Sequence, residues 1–196
     1  MYIEIKRLTP DLAEDYINFF DETPHDQYVD EHKCYCVCWC NDDYEGKDFS
    51  SAAKRRMTAF QYVKNDNIQG YLAYHDGKVV GWCNANTKSE CLKCASWRRF
   101  MDYVPLDEIV SGVKVKSIFC FTIAPDMQQK GIATMLLERV CEDAAKEGFD
   151  FVEAYPYKES SYQSSHFGGY FEMYKKNGFY VSHEAKQGLI MRKILD

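Results

Sequence analysis

Nothing in this 196-residue chain reads as a membrane anchor, because no apolar run approaches the roughly 20 residues that a spanning helix needs. Proline (5) and glycine (11) are scarce and never cluster into a linker. Internal repeats and low-complexity tracts are also missing, so residues 1–196 are expected to fold as a single domain with a full core of its own. Clustered positive charge is lacking too. The net charge is −6, and residues 1–50 hold 13 Asp/Glu against 4 Lys/Arg, which leaves the remainder at +3. Phosphate backbones require grouped Lys and Arg, so nucleic acid is not expected as a partner. An acidic first quarter reads as a solvated acidic face or, functionally, as a surface suited to a cationic small molecule. The opening stretch MYIEIKRLTPDLAEDY carries acids where a secretory signal would carry an apolar segment, and a cytoplasmic location without membrane attachment is the expectation.

Cysteine, by contrast, is abundant. There are nine, an odd number, and a reducing compartment argues against a disulfide framework. Four of them alternate in HKCYCVCWCNDD as Cys34, Cys36, Cys38 and Cys40. On an extended chain such thiols stand about 6.6 Å apart on one face. Zinc, at about 2.3 Å from each sulfur, needs them closer. With Tyr35, Val37 and Trp39 between them, the ladder predicts an extended segment in which reduced thiols pack as small hydrophobes. Pocket lining and a metal site shared with Cys91 and Cys94 of CLKC are the alternatives, and no metal is expected.

Local patterns place the elements. YIEIKRLT alternates as a first strand. Thr9 and Pro10 open a helix through about Phe20. DFSSAAKRRMTAFQYVKN has helical spacing, with Ala52, Arg56 and Phe60 on one side. GYLAYHDGKVVGWCNA predicts a hairpin turning at Asp76-Gly77. Residues 91–111 read as loop with a short helix around WRRFMDYV. Then SIFCFTI is a buried strand stopped by Pro125 and Asp126. An amphipathic helix follows from Ile132, closed by Gly148, and FDFVEAY is the next strand. A strand, helix and strand of this length predict a parallel crossover.

At the strand-to-helix junction, QQKGIAT combines the donors of Gln128, Gln129 and Lys130 with the close backbone approach that Gly131 allows. Behind it lie the unpaired N–H groups of a helix start, so the junction is a cradle for a diphosphate. It is not a Walker loop, lacking Gly-Lys-Ser/Thr. A dinucleotide fold would need more chain than the roughly 40 residues left after Glu153.

The hexapeptide from Gln128 to Ala133 resembles the Arg/Gln-x-x-Gly-x-Gly/Ala loop of the GNAT N-acetyltransferase superfamily, and YFEMYKKNGFYV resembles the family's Tyr-x-x-x-Gly-Phe element through Tyr174, Gly178 and Phe179. The likeness covers roughly residues 115–194. It implies an α/β fold with a central mixed sheet of about six to seven strands, splayed between its two parallel strands and flanked by helices. It also implies an acetyl-CoA-dependent transfer of acetyl to a small-molecule amine by direct attack in a ternary complex. In that picture Gln128, Gln129, Lys130, Gly131, Ile132, Ala133 and Thr134 hold the diphosphate, and Phe121, Thr122 and Ile123 pair with the pantetheine arm. Backbone N–H groups near Ile123 polarise the thioester, and Tyr174 is the general acid. Glu153, Glu159 and His166 are the candidate bases, although Glu153 equally fits a structural salt bridge and His166 a solvated loop. Residues 28–48 should line or cover the acceptor pocket. Phe167 stands where many relatives carry Asn, and ESSYQSSHFGGYFEMY suggests a modified, glycine-bearing loop over the site. An acyl-cysteine route, an acyl-CoA sensor and a thiol-rich metal module are the rival readings, and an oligomer is compatible with the sequence.

Overall fold

The computed structural model describes residues 1–23, 30–42, 46–106, 111–156, 167–185 and 188–195. Its frame is a seven-stranded sheet made of β1 (Glu4–Arg7), β2 (Gly70–His75), β3 (Lys78–Thr87), β4 (Val115–Ile123), β5 (Phe151–Ala154), β6 (Tyr180–Glu184) and β7 (Leu189–Ile194). The order across the sheet is β1-β2-β3-β4-β5-β7-β6, with β4 and β5 parallel and the other pairings antiparallel. The helices are α1 (Ala13–Glu22), α2 (Ala52–Lys64), α3 (Lys88–Cys91), α4 (Ala95–Phe100), α5 (Ile132–Lys146) and α6 (Phe171–Lys176).

Strand alternation divides the interior in two. Leu72, Tyr74 and Trp82 face α1, α2 and residues 35–40, whereas Tyr71, Ala73, Cys83 and Ile118 face α5 and α6. The seam of α5 is the one its spacing predicts, with Ile132, Leu136, Val140 and Ala144 all buried. The Asp76-Gly77 hairpin is also present, both residues holding the positive φ (48° and 76°) that a two-residue turn requires.

Three expectations shift. The first helix opens as a 3₁₀ turn over Pro10–Leu12, and α1 proper begins at Ala13 and runs to Glu22. On α2 the buried face is Ala59, Tyr62 and Val63, while Arg56 turns outward to pair with Asp21 at 2.8 Å. The cysteine ladder is not extended: Tyr35 and Cys36 take φ of 47° and 54°, and turn bonds run from Val37 N to Cys34 O and from Trp39 N to Cys36 O. Tyr35, Cys36 and Val37 are buried in succession within this turn.

One irregularity positions the site. Asn84 lies opposite Cys120 but Ala85 lies opposite Ile118, so Phe119 is an extra residue on β4. This bulge turns both Phe119 and Cys120 toward the α1 side. Leu136→Ala, which empties a fully buried position of α5, should cost about 2–5 kcal/mol in urea unfolding. A change near zero would mean that α5 is not packed on the sheet as described.

Candidate active site

Beyond Ile123 the chain makes a 3₁₀ turn at Pro125–Met127 and reaches α5 through Gln128, Gln129, Lys130 and Gly131. Gln129 (φ 59°) and Gly131 (φ 81°) are both left-handed, an arrangement that turns successive N–H groups toward one concavity. The first helical bond runs from Met135 N to Gly131 O at 3.0 Å, so the N–H groups of Ile132, Ala133 and Thr134 point out of the helix end. No atom lies within 4 Å of where a Cβ on Gly131 would stand, and the mouth of the cradle is open. The side chains divide by role. Gln129 and Lys130 are exposed, Ala133 and Thr134 are half-buried, and Ile132 is buried in the core, leaving only its main chain to meet a ligand. Gln128 Nε2 donates to Ile123 O at 3.3 Å, tying the loop to the end of β4.

The β4–β5 ladder pairs residues 115–118 with 151–154 and stops there. Past that point the two strands diverge, and residues 167–169 lie in the gap. Phe121 N donates to Phe167 O at 2.6 Å. Tyr174 Oη donates to the next carbonyl, Gly168 O, at 2.8 Å. Gly168 fits because it has no side chain: a Cβ there would stand 2.8 Å from Tyr155 O. Tyr174 is fully buried beside Phe121 (6.5 Å between ring centroids) and Phe179 (5.1 Å). Burial pushes its phenol well above the ordinary pKa, so it stays a neutral O–H donor. Of the strand residues named from the sequence, Phe121 thus presents an N–H to the gap. Thr122 keeps its side chain buried, Oγ1 lying 3.7 Å from Cys120 Sγ, and Ile123 holds the Gln128 side chain. The sequence flagged the glycine-bearing loop but not its carbonyls as the partners of these two donors.

Glu153 does not occupy the position expected of a base. It is fully buried in the paired part of β5, and its Oε1 accepts from Tyr155 Oη (2.6 Å) and meets Lys88 Nζ (2.8 Å). Its Oε2 is held by Arg192 Nε at 2.6 Å and Nη2 at 2.5 Å, from the facing register position on β7. A carboxylate saturated by two cations and a phenol has no lone pair to offer an amine, so its role is structural. Glu159 and His166 lie outside the described residues.

An aromatic column stands beside the gap on the α1 side. Trp39 stacks on Phe119 at 4.9 Å, and Phe119 on Tyr155 at 5.3 Å. Asn84 Nδ2 fixes the Trp39 carbonyl at 3.0 Å. The described part of the 28–48 region therefore covers the β4 bulge next to Phe121. Among the described residues no group of three or more His, Cys, Asp or Glu side chains is arranged to hold a metal ion, and no helix is long and apolar enough to cross a membrane. A cavity of about 220 Å³ lies at the other end of β4, where Arg7, Gly70, Thr87, Lys116 and Glu147 meet, away from the gap.

With this geometry in view, residues 35–179 match the acetyltransferase (GNAT) family. Solved structures share the architecture. An acetyltransferase of the GNAT family from Streptococcus pneumoniae aligns at TM-score 0.54 and 15% identity over the whole of both chains. The PaiA N-acetyltransferase of Thermoplasma acidophilum, in complex with coenzyme A, aligns at 0.53 and 18% over 99% of each chain. The ribosomal-protein-S5-alanine acetyltransferase of Vibrio fischeri aligns at 0.57 and 12% over 100% of this chain and 94% of its own. No curated protein matches by sequence.

Glu153→Gln should leave Lys88 and Arg192 underpaired and cost about 3–5 kcal/mol of stability in urea unfolding. Turnover by the folded fraction should stay within a few-fold of the parent. A kcat loss of about a hundredfold at unchanged stability would restore Glu153 as a base.

Proposed function

Because the chain belongs to the acetyltransferase (GNAT) family, we propose that it transfers acetyl from acetyl-CoA to the amine of a small molecule by direct attack in a ternary complex. The observation that carries the reading is the convergence of two donors, Phe121 N–H and Tyr174 O–H, on consecutive carbonyls in the gap between β4 and β5. An acyl thioester entering that gap in place of residues 167–169 offers an oxygen to the first donor and a sulfur to the second.

The diphosphate of coenzyme A then lies at the start of α5, against the main chain of residues 128–134, with exposed Gln129 and Lys130 at the rim to reach it. The pantetheine arm runs along Phe121, Thr122 and Ile123 as an added strand. Phe121 N–H gains strength as the carbonyl oxygen acquires charge in the tetrahedral intermediate, the point at which a fixed dipole contributes most. The amine nitrogen bonds to the carbonyl carbon, and the carbon–sulfur bond breaks. The departing thiolate takes the Tyr174 proton, the nitrogen sheds its own to solvent, and solvent returns one to the phenolate, leaving the acetamide and free coenzyme A. The acceptor approaches from the side of Trp39, Phe119 and Tyr155. The acidic first quarter of the chain favours a cationic molecule there, which enters the reaction as its free base.

An amine panel scored by release of free coenzyme A tests the proposal. Tyr174→Phe should lower kcat about a hundredfold while changing the KM for acetyl-CoA little. Full kcat in that variant, or no coenzyme A release with any amine, would refute the assignment. Gly131→Asp places a carboxylate at the cradle in a residue type that tolerates left-handed backbone, and should weaken coenzyme A binding by about tenfold or more in calorimetric titration. Unchanged affinity would mean that the diphosphate is held elsewhere.

A further inference from the structure

The thiols of the ladder do not act alike once the chain is folded. Cys36 is buried beneath β4 against Cys120, and its hydrogen bond to that thiol together with burial raises its pKa, while burial raises the thiols of Cys34 and Cys38, so all three stay protonated. Cys40 meets a cysteine 54 residues away in the chain: its thiol donates to Cys94 Sγ at 3.9 Å. We propose that Cys40 and Cys94 form a reversible dithiol–disulfide site that accepts a two-electron oxidant of the peroxide class, and that closing it staples the wall beside the acyl site to the start of α4.

Both sulfurs are held in place by their surroundings. Asn41 N bonds Asn67 O at 2.7 Å, and the carbonyl of the preceding Trp39 is fixed by Asn84. Cys94 N bonds Cys91 O at 2.9 Å, Arg98 N bonds Cys94 O at 3.2 Å, and the Cys94 thiol donates to Cys38 O at 3.1 Å. Closing a disulfide of about 2.05 Å needs an approach of roughly 2 Å, within reach of side-chain rotation. Cys94 is the reactive partner, because hydrogen bonds from the Cys40 thiol and from the amides of Ser96 and Trp97 favour its thiolate and lower its pKa. The pair is buried, flanked along the chain by half-buried Asn41 and Asp42 and exposed Lys93.

The chemistry balances. The Cys94 thiolate attacks one oxygen of hydrogen peroxide, the O–O bond breaks, and hydroxide leaves with a sulfenic acid on Cys94. The Cys40 sulfur then attacks Cys94 Sγ, the S–O bond breaks, and the S–S bond forms. Two thiols lose two electrons and two protons, and the peroxide becomes two waters. A small dithiol reductant reverses it by exchange.

The test treats the reduced full-length protein with a small excess of hydrogen peroxide under native conditions. Free thiols are then capped with N-ethylmaleimide, and the protein is digested without reduction for mass spectrometry. The expected product is a peptide cross-linked through Cys40 and Cys94, lighter by two hydrogens and absent after dithiothreitol. The melting temperature should rise by about 5–10 °C, since the bridge closes a long loop, and fall back on reduction. Cys40→Ser and Cys94→Ser should each abolish both changes, and the wild-type peptide map decides the question even if a variant folds poorly. Capped Cys40 and Cys94 with a bridge elsewhere, such as Cys36–Cys120, or irreversible over-oxidation of Cys94, would overturn the proposal.

Discussion

Parallel strands that diverge leave main-chain groups without a ladder, and a buried amide left unpaired costs about 1–3 kcal/mol. Past Ile118 and Ala154 this protein faces that cost, for the Phe121 N–H is directed between β4 and β5 rather than at β3. The chain meets it with its own carbonyls, Phe167 O on the amide and Gly168 O on the Tyr174 hydroxyl. Any ligand that takes the place of residues 167–169 must present acceptors at the same two points. The demand that shapes this part of the fold is thus the one that would select a thioester.

The gap can keep its width because its closed end is pinned. Glu153 sits in the last paired stretch of β5, joined to Arg192 on β7 and to Lys88 at the start of α3. A buried ion pair of this kind adds little net stability over an apolar equivalent, but breaking it is costly, so it resists rearrangement. Tyr155 extends the cluster toward the site, its hydroxyl on Glu153 and its ring on Phe119. The bulge at Phe119 turns that ring out of the regular alternation and up to Trp39. Electrostatics and packing meet at one short segment of β4.

The thiol-rich segment shows how a local period can mislead. Cysteine at every second position has the periodicity of a strand, yet the sheet offers this segment no partner strand. Its apolar residues are buried instead by two left-handed residues, Tyr35 and Cys36, that fold it over the α1 side of the sheet. Which thiol meets which other thiol then depends on how the segment lies against β4 and α4. No spacing along the chain contains that information.

What the sequence determined by itself was local in origin. The hydrophobic seam of α5, the Asp76-Gly77 hairpin and the glycine at the mouth of the cradle follow from helical period, turn chemistry and backbone freedom within a few residues. The order of two motifs then pointed to the family. The tertiary structure alone decided the fate of the ionisable and reactive groups. Glu153 became a structural anion because Arg192, 39 residues away, is its cross-strand neighbour. Cys94 gained a thiol partner 54 residues away. Proton affinity and reactivity depend on burial and on charged or hydrogen-bonding neighbours, and in a sheet those neighbours come from distant parts of the chain.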